Sequence, residues 1–297
     1  MRNISINGKE YSFVPNAMKD GASRESYFSL VQKVFGLNFK PWHQTGFSGN
    51  HFIPYTLFVG DIAVSSVGVV VNDFKLHDTS KRYIQISTVV TDHDYRKQGL
   101  SKWLMDIVLR EWKDNCDCIY LYANDSVIDF YPKFEFIPAY EYSYRMPILK
   151  TEGTFRKLDL SIKNDADLLI KKHNESNPFS LLTMDKGFEM MMFHCITFLY
   201  DNIYYIEKYD AIVIAEQENN DMFCYDIYSS SHCDINDLLG VIASENTSSV
   251  ILGFTPKDAT GYSITKSNED NTTFFVLDGM ENILADNKVT LPFLSRA

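Results

Sequence analysis

One short stretch constrains this chain more than any other. It is Arg96-Lys97-Gln98-Gly99-Leu100-Ser101, set between a β-branched run and an apolar-striped segment. Arg82 to Val90 reads as a strand, because Ile84, Ile86, Val89 and Val90 suit a pleated, half-buried surface. Leu100, Leu104, Ile107 and Val108 then recur at helical spacing, which predicts a helix from Gly99 to about Trp112. A helix that starts at a tight glycine turn leaves its first N–H groups without intrahelical acceptors. Those groups and the helix dipole favour a phosphate-like anion without help from any side chain. Arg96 and Lys97 add positive charge at the same point.

The rest of the chain supplies a sheet around this unit. Ser5 to Val14 reads as a first strand and Arg24 to Phe35 as a short helix, with Tyr27, Leu30, Val31 and Val34 on one face. An aromatic, glycine-rich loop follows, Gly36 to Asn50, carrying Trp42, His43 and Phe47. Tyr55 to Val59 and Ile62 to Val71 are strands joined at Gly60-Asp61, and polar Asn72 to Lys81 reads as a loop. Asp117 to Ala123 is a strand, Asp125 is placed to cap a short helix through Tyr131, and Phe134 to Met146 reads as further strand.

The pattern changes after Phe155. Helices are expected over Asp165 to His173, Lys186 to Cys195 and Asp234 to Ala243. A meander of Ile203 to Lys208, Ala211 to Glu216 and Met222 to Tyr228 lies among them, and Ser249 to Phe254 and Phe274 to Leu277 are later strands. The chain of 297 residues suits two domains. They are expected at 1–150 and 155–297, with a shared element order that suggests duplication.

Composition narrows the function. A net charge of −11 with no basic cluster argues against a nucleic-acid backbone as partner and suits a cationic acceptor or plain solubility. The five cysteines offer one close pair, Cys116 and Cys118, without the second pair a zinc site needs, so reduced thiols and no metal are expected. His232-Cys233-Asp234 reads as loop and N-cap. No segment approaches the roughly 18 apolar residues of a membrane helix, and Met1 to Glu10 lacks a signal core, so a cytoplasmic place is expected.

The string R-x-x-G-L-S after a strand resembles the acetyl-CoA signature of the GNAT superfamily of N-acetyltransferases, with Ser101 where glycine or alanine is usual. Asn124 and Phe130-Tyr131-Pro132-Lys133-Phe134-Glu135-Phe136 are similar to that family's second motif, with Glu135 in place of glycine. The resemblance covers about Arg24 to Arg145. It implies an α/β (α+β) GNAT fold with a mixed, mostly antiparallel central sheet flanked by helices, and a smaller, degenerate GNAT-like domain after it. It also implies transfer of an acetyl group from acetyl-CoA to a primary amine of a small acceptor.

The resemblance assigns site residues as well. Val89 and Val90 would hold the pantetheine arm. Arg96, Lys97, Gln98, Gly99, Leu100 and Ser101 would cradle the pyrophosphate, with Asn124 beside the cofactor. Tyr131 would give a proton to the leaving thiolate. Relatives often carry a glutamate on the motif strand, whereas Arg82 to Val90 has no carboxylate. His43 or a water relay is the alternative base, and Trp42, Phe47 and Tyr55 are candidate acceptor-pocket walls. The two-domain order is similar to the enhanced-intracellular-survival acetyltransferases, whose terminal carboxylate reaches the active site, a role that would fall here to Ala297. The rival reading is an acyl-CoA-binding sensor or scaffold. A homo-oligomer is compatible with the sequence.

Overall fold

The β-branched runs pair where their alternation lets one face meet a helix and the other a second layer. The computed structural model describes residues 1–297 apart from 77–78, 231–232, 282–283 and 285–286. The N-terminal elements are β1 (Arg2–Ile6), β2 (Lys9–Val14), α1 (Gly21–Phe35), α2 (Lys40–Gln44), β3 (Phe52–Val59), β4 (Ile62–Leu76), β5 (Thr79–Thr91), α3 (Leu100–Trp112), β6 (Cys118–Asn124), β7 (Phe136–Pro138) and β8 (Tyr142–Pro147). Next come β9 (Arg156–Lys157), α4 (Lys163–His173), β10 (Leu182–Lys186), α5 (Phe188–Thr197), β11 (Ile203–Ile206), β12 (Ala211–Glu218) and β13 (Asp221–Ser229). The last are α6 (Ile235–Ile242), β14 (Ser249–Leu252), β15 (Ser263–Lys266) and β16 (Thr272–Leu277).

Two sheets result, a mixed α/β fold. The first runs β1-β2-β3-β4-β5-β6-β16-β7, with β10 paired to β4. The second runs β15-β8-β14-β13-β12-β11-β9. Each is antiparallel except for one parallel pair, β5 with β6 in the first and β13 with β14 in the second. Sheet membership does not follow the chain. β8 lies in the second sheet between β15 and β14, while β16 from the later half fills the place between β6 and β7.

Several expected elements differ. The stretch expected as a loop over Asn72 to Lys81 is mostly strand: β4 runs to Leu76, β5 starts at Thr79, and the two residues between lie outside those described. Some of its polar side chains find partners within the sheet, as when Asn72 Nδ2 donates to Tyr120 Oη at 2.9 Å and Arg82 Nε to Asp73 Oδ1 at 2.7 Å. Ser5 to Val14 is a hairpin, because Asn7 and Gly8 take φ of 50° and 78° and turn the chain. Asp125 to Tyr131 is no helix but two short 3-10 turns, with Asn124 rather than Asp125 as the cap. Phe134 to Met146 divides into β7 and β8, which serve different sheets.

Alternation along β4 puts Val69 and Val71 against α3, with Leu100, Leu104 and Val108, and Val70 against α1, with Tyr27, Phe28 and Val31. A third region, around Phe74, Tyr83 and Tyr120, is covered by Leu284, Val289 and Leu291. Glu141, 4% exposed, ties this cover down. It accepts hydrogen bonds from Tyr122 Oη at 2.9 Å, Thr290 Oγ1 at 3.2 Å, the Leu291 N–H at 2.7 Å and Arg296 Nη2 at 2.8 Å. A buried ion pair costs desolvation, and these further bonds are what offset it.

Asp226 on β13 is a buried carboxylate, 5% exposed. Its Oδ1 accepts from Asn177 Nδ2 at 2.6 Å and from the Ile227 N–H at 2.9 Å. Burial pushes it up from an ordinary value of 3.8 to about 6. The folded state therefore binds this proton more tightly than the unfolded chain, so the contribution to stability is present in acid and lost as pH rises through about 6. Asp226→Asn keeps the acceptor and removes the charge. In thermal melts the variant is expected to exceed wild type at about pH 7.5, with the gap closing between about pH 6 and 4. An equal gap at every pH would refute this account of Asp226.

Candidate functional site

The site begins with a fault in the sheet. β5 pairs with β6 only from Tyr83↔Cys118 to Ile86↔Leu121. On its other side, β4 sets Gly68 opposite Ser87 and Ser66 opposite Val90, so Thr88 and Val89 together face one residue. This is a bulge, which bends the strand that carries it. Thr88 sits at φ 41°, an outlier for a β-branched residue. Its Oγ1 shares a hydrogen bond with Tyr27 Oη on α1 at 3.2 Å. Gly68 makes room for it, since a Cβ there would lie 2.3 Å from Thr88 Oγ1. Past the bulge β5 and β6 no longer pair, and a cleft of about 680 Å³ opens between them.

Val34 and Phe35 at the end of α1 line one side of the cleft, with Val89, Val90, Thr91, Arg96 and Ser101. The other side is Asn124, Ser126, Val127, Asp129, Phe130, Tyr131 and Lys133. At its base α3 begins at Gly99, φ 81°, with no side-chain cap. By contrast α6 is closed by Asp234, whose carboxylate accepts from the Asn236 N–H at 2.8 Å. The first helix start is thus open to an external anion, and the second is filled by an internal one. Ser101 Oγ reaches back to Thr91 Oγ1 at 2.7 Å, and Arg96 Nε donates to the Thr91 carbonyl at 3.3 Å, fastening the turn to the strand.

Tyr131 opens a 3-10 turn, Tyr131–Phe134, on the β6 side. Its ring packs against Phe130, Phe136 and Phe275. Burial pushes its hydroxyl up to about 12, so it carries its proton at neutral pH. Glu135 ends this turn at φ 67°, the left-handed conformation that a glycine would adopt more easily. The turn geometry is retained despite the side chain.

The structure brings together Val89, Val90, Arg96, Ser101, Asn124 and Tyr131 of the expected site residues. Gly99 stands at the start of α3 at the base of the cleft, and the side chains of the others point elsewhere. Leu100 is 2% exposed in the core under α3. Gln98 turns its side chain to the N-terminal hairpin, and Lys97 is exposed in the turn. Asn124 uses its side chain to cap the turn through the Ser126 N–H at 3.0 Å. His43 lies on α2 beside Phe28, sharing a hydrogen bond with Ser48 Oγ at 2.9 Å, and is not among the cleft residues. Burial, and then Arg24, lower its pKa. Trp42, Phe47 and Tyr55 pack into cores, and Trp42 Nε1 donates to the Glu189 carbonyl at 3.1 Å. Of the tempting trio at 232–234, His232 lies outside the described residues.

Sequence reasoning missed Val34, Phe35, Val127 and Phe130, apolar residues that gain a role only when two distant segments meet. It also missed Gln85, 1% exposed on β5. The Gln85 amide clasps Ala297, accepting its N–H at 3.0 Å and donating to its backbone oxygen at 2.9 Å.

Residues 22–136 match the model of the acetyltransferase (GNAT) family. This part of the chain is a GNAT domain. No curated protein matches the sequence. Among solved structures, a probable N-acyltransferase from Enterococcus faecalis superposes with a TM-score of 0.59 at 14% identity, over 90% of this chain and 71% of that one. A GCN5-related N-acetyltransferase from Kribbella flavida gives 0.53 at 15%, over 90% and 70%. Eis1 from Mycobacterium abscessus gives 0.54 at 12%, over 90% and 74%. The shared fold thus extends beyond the GNAT domain to both sheets. The parallel pair β13/β14 is joined through the helix α6 as β5/β6 is joined through α3, which is consistent with a second GNAT-like half.

Substitution at Gly68 tests how firmly the bulge is held. Gly68→Ala forces a Cβ to 2.3 Å from Thr88 Oγ1 and 3.0 Å from the Ser87 carbonyl. The variant is expected to lose about 1–3 kcal/mol by denaturant titration, as overpacked sites do. Thr88→Ser leaves the hydroxyl and is expected to stay close to wild type. A neutral Gly68→Ala would show that the bulge yields easily.

Proposed function

We propose that this chain moves an acetyl group from acetyl-CoA to a primary amine of a small acceptor. GNAT membership supports acyl transfer in general. The observation that carries the finer reading is the pairing of an uncapped helix start with a protonated tyrosine across one cleft. In this reading the N–H groups from Gly99 onward, with Arg96, hold the diphosphate. Backbone of β5 around Val89 and Val90, on the side where β6 no longer pairs with it, takes the pantetheine amides in place of a sheet partner.

Direct attack then balances simply. The amine nitrogen forms a bond to the acetyl carbon, the carbon–sulfur bond breaks, and sulfur leaves with the electron pair. Tyr131 gives that sulfur its proton, and water takes the proton shed by the amine. A donor placed where charge develops lowers the barrier because it acts more strongly on the transition state than on the bound substrate. β5 offers no carboxylate for the amine proton, and His43 is not at the cleft, which favours water as the carrier. The same absence keeps a second reading in view, a protein that binds acyl-CoA without turnover.

Thiol release from acetyl-CoA across a panel of amines separates the two. Turnover with at least one amine is expected. Binding of CoA with no release above the solvent rate for any amine would leave only the binding reading. Tyr131→Phe is expected to lower kcat by about 10²–10⁴ while leaving the KM for acetyl-CoA little changed. An unaltered kcat would remove Tyr131 from the chemistry.

A further inference from the structure

We propose that Asn7 and Tyr11 of the N-terminal hairpin are positioning residues for the anion cradle, acting through Gln98. The proposal rests on the diphosphate reading above and adds what holds that cradle in shape.

Gln98 stands between two residues in the left-handed region, Lys97 at φ 61° and Gly99 at φ 81°. A backbone so bent persists only where its surroundings fix it. The surroundings here are the β1–β2 hairpin. Asn7 Nδ2 donates to the Gln98 carbonyl at 2.9 Å. Tyr11 Oη donates to Gln98 Oε1 at 2.9 Å, and Lys9 Nζ donates to the same oxygen at 3.0 Å. Gln98 Nε2 donates in turn to the Asp94 carbonyl at 3.2 Å, closing the turn on itself. The fit is close, since a Cβ on Gly99 would lie 3.1 Å from Asn7 Nδ2.

The consequence follows from peptide planarity. In a trans peptide the carbonyl of Gln98 and the N–H of Gly99 point in opposite directions. With that carbonyl held on the hairpin by Asn7, the Gly99 N–H faces away from it and is left to an external acceptor. Tyr11 fixes the side chain of the same residue, so the plane is gripped at two points. Burial, and secondarily Tyr95, raise the Tyr11 pKa, which keeps this hydroxyl a donor. Gln98 thus belongs to the site without its side chain touching the ligand. The arrangement also explains why a hairpin distant in sequence, more than eighty residues upstream, meets the turn at all.

The test is titration of CoA, whose binding needs no acceptor, followed by calorimetry. Asn7→Ala and Tyr11→Phe are each expected to weaken Kd by about two- to tenfold, the range of one lost hydrogen bond. In a Gln98→Ala background the Tyr11→Phe effect is expected to vanish, since the two act as a unit. Ser12→Ala is the control: it removes a bond inside the hairpin, Ser12 Oγ to Asn3 Oδ1 at 3.1 Å, and leaves the turn alone. It is expected to bind as wild type does. Melting temperatures measured alongside show whether each variant is folded at the titration temperature. Wild-type Kd in both folded variants, or an equal loss in Ser12→Ala, overturns the brace alone. A wild-type chain that ignores CoA overturns the brace and the diphosphate reading together.

Discussion

Everything at the site depends on a ladder that stops. β5 and β6 share four paired positions and then part, because the bulge at Thr88 turns β5 aside. Had the pairing run on, the β6-facing edge of β5 around Val89 would have found its partner in β6, and the cleft between the two strands would have been closed. The strained threonine is tolerated because its surroundings are built around it: Gly68 leaves it space and Tyr27 holds its hydroxyl. The opening is therefore a property of the sheet's own hydrogen-bond accounting, set before any side chain contributes.

The parts of this arrangement that are local could be read from residues alone. The strand–turn–helix around Arg96 to Ser101 was legible because β-branching, a glycine and an apolar stripe lie within thirty residues of one another. The antiparallel meander of the later half was legible for the same reason. What escaped was fixed at long range. Asn72, Asp73 and Lys75 look like loop, yet they lie in β4, paired with β5 and with β10, a strand more than a hundred residues away. The short run at Phe274 was seen as a strand, but nothing in its residues tells that it inserts beside β6. His43 drew notice for its chemistry, and only packing against Phe28 shows that it stands apart from the cleft.

The two halves use one plan with opposite endings. Both contain a single parallel pair, and in both a helix connects its two strands, α3 between β5 and β6 and α6 between β13 and β14. In the GNAT domain the helix begins at an uncapped glycine. In the later half Asp234 supplies the negative charge from within the chain. Phe293 packs on Phe223 and Tyr225 of β13, and its N–H donates to the Gly253 carbonyl, so the corresponding gap there is taken up by the chain itself. A carboxylate cap and an aromatic side chain thus occupy in the later half the positions that stand open in the first.

The placement of β16 reaches beyond the site to how the molecule is made. β6 carries half of the cleft, and its outer edge is covered by a strand that lies about 150 residues later in the chain. During synthesis that edge stays bare, a row of unpaired amides and carbonyls inviting any passing strand, until the later half has emerged. Closing so long a loop is slow, since non-local contacts repay its entropy only once formed. Cell extracts would thus hold this polypeptide in a vulnerable, half-zipped form for longer than a domain whose sheet is completed by its own neighbours.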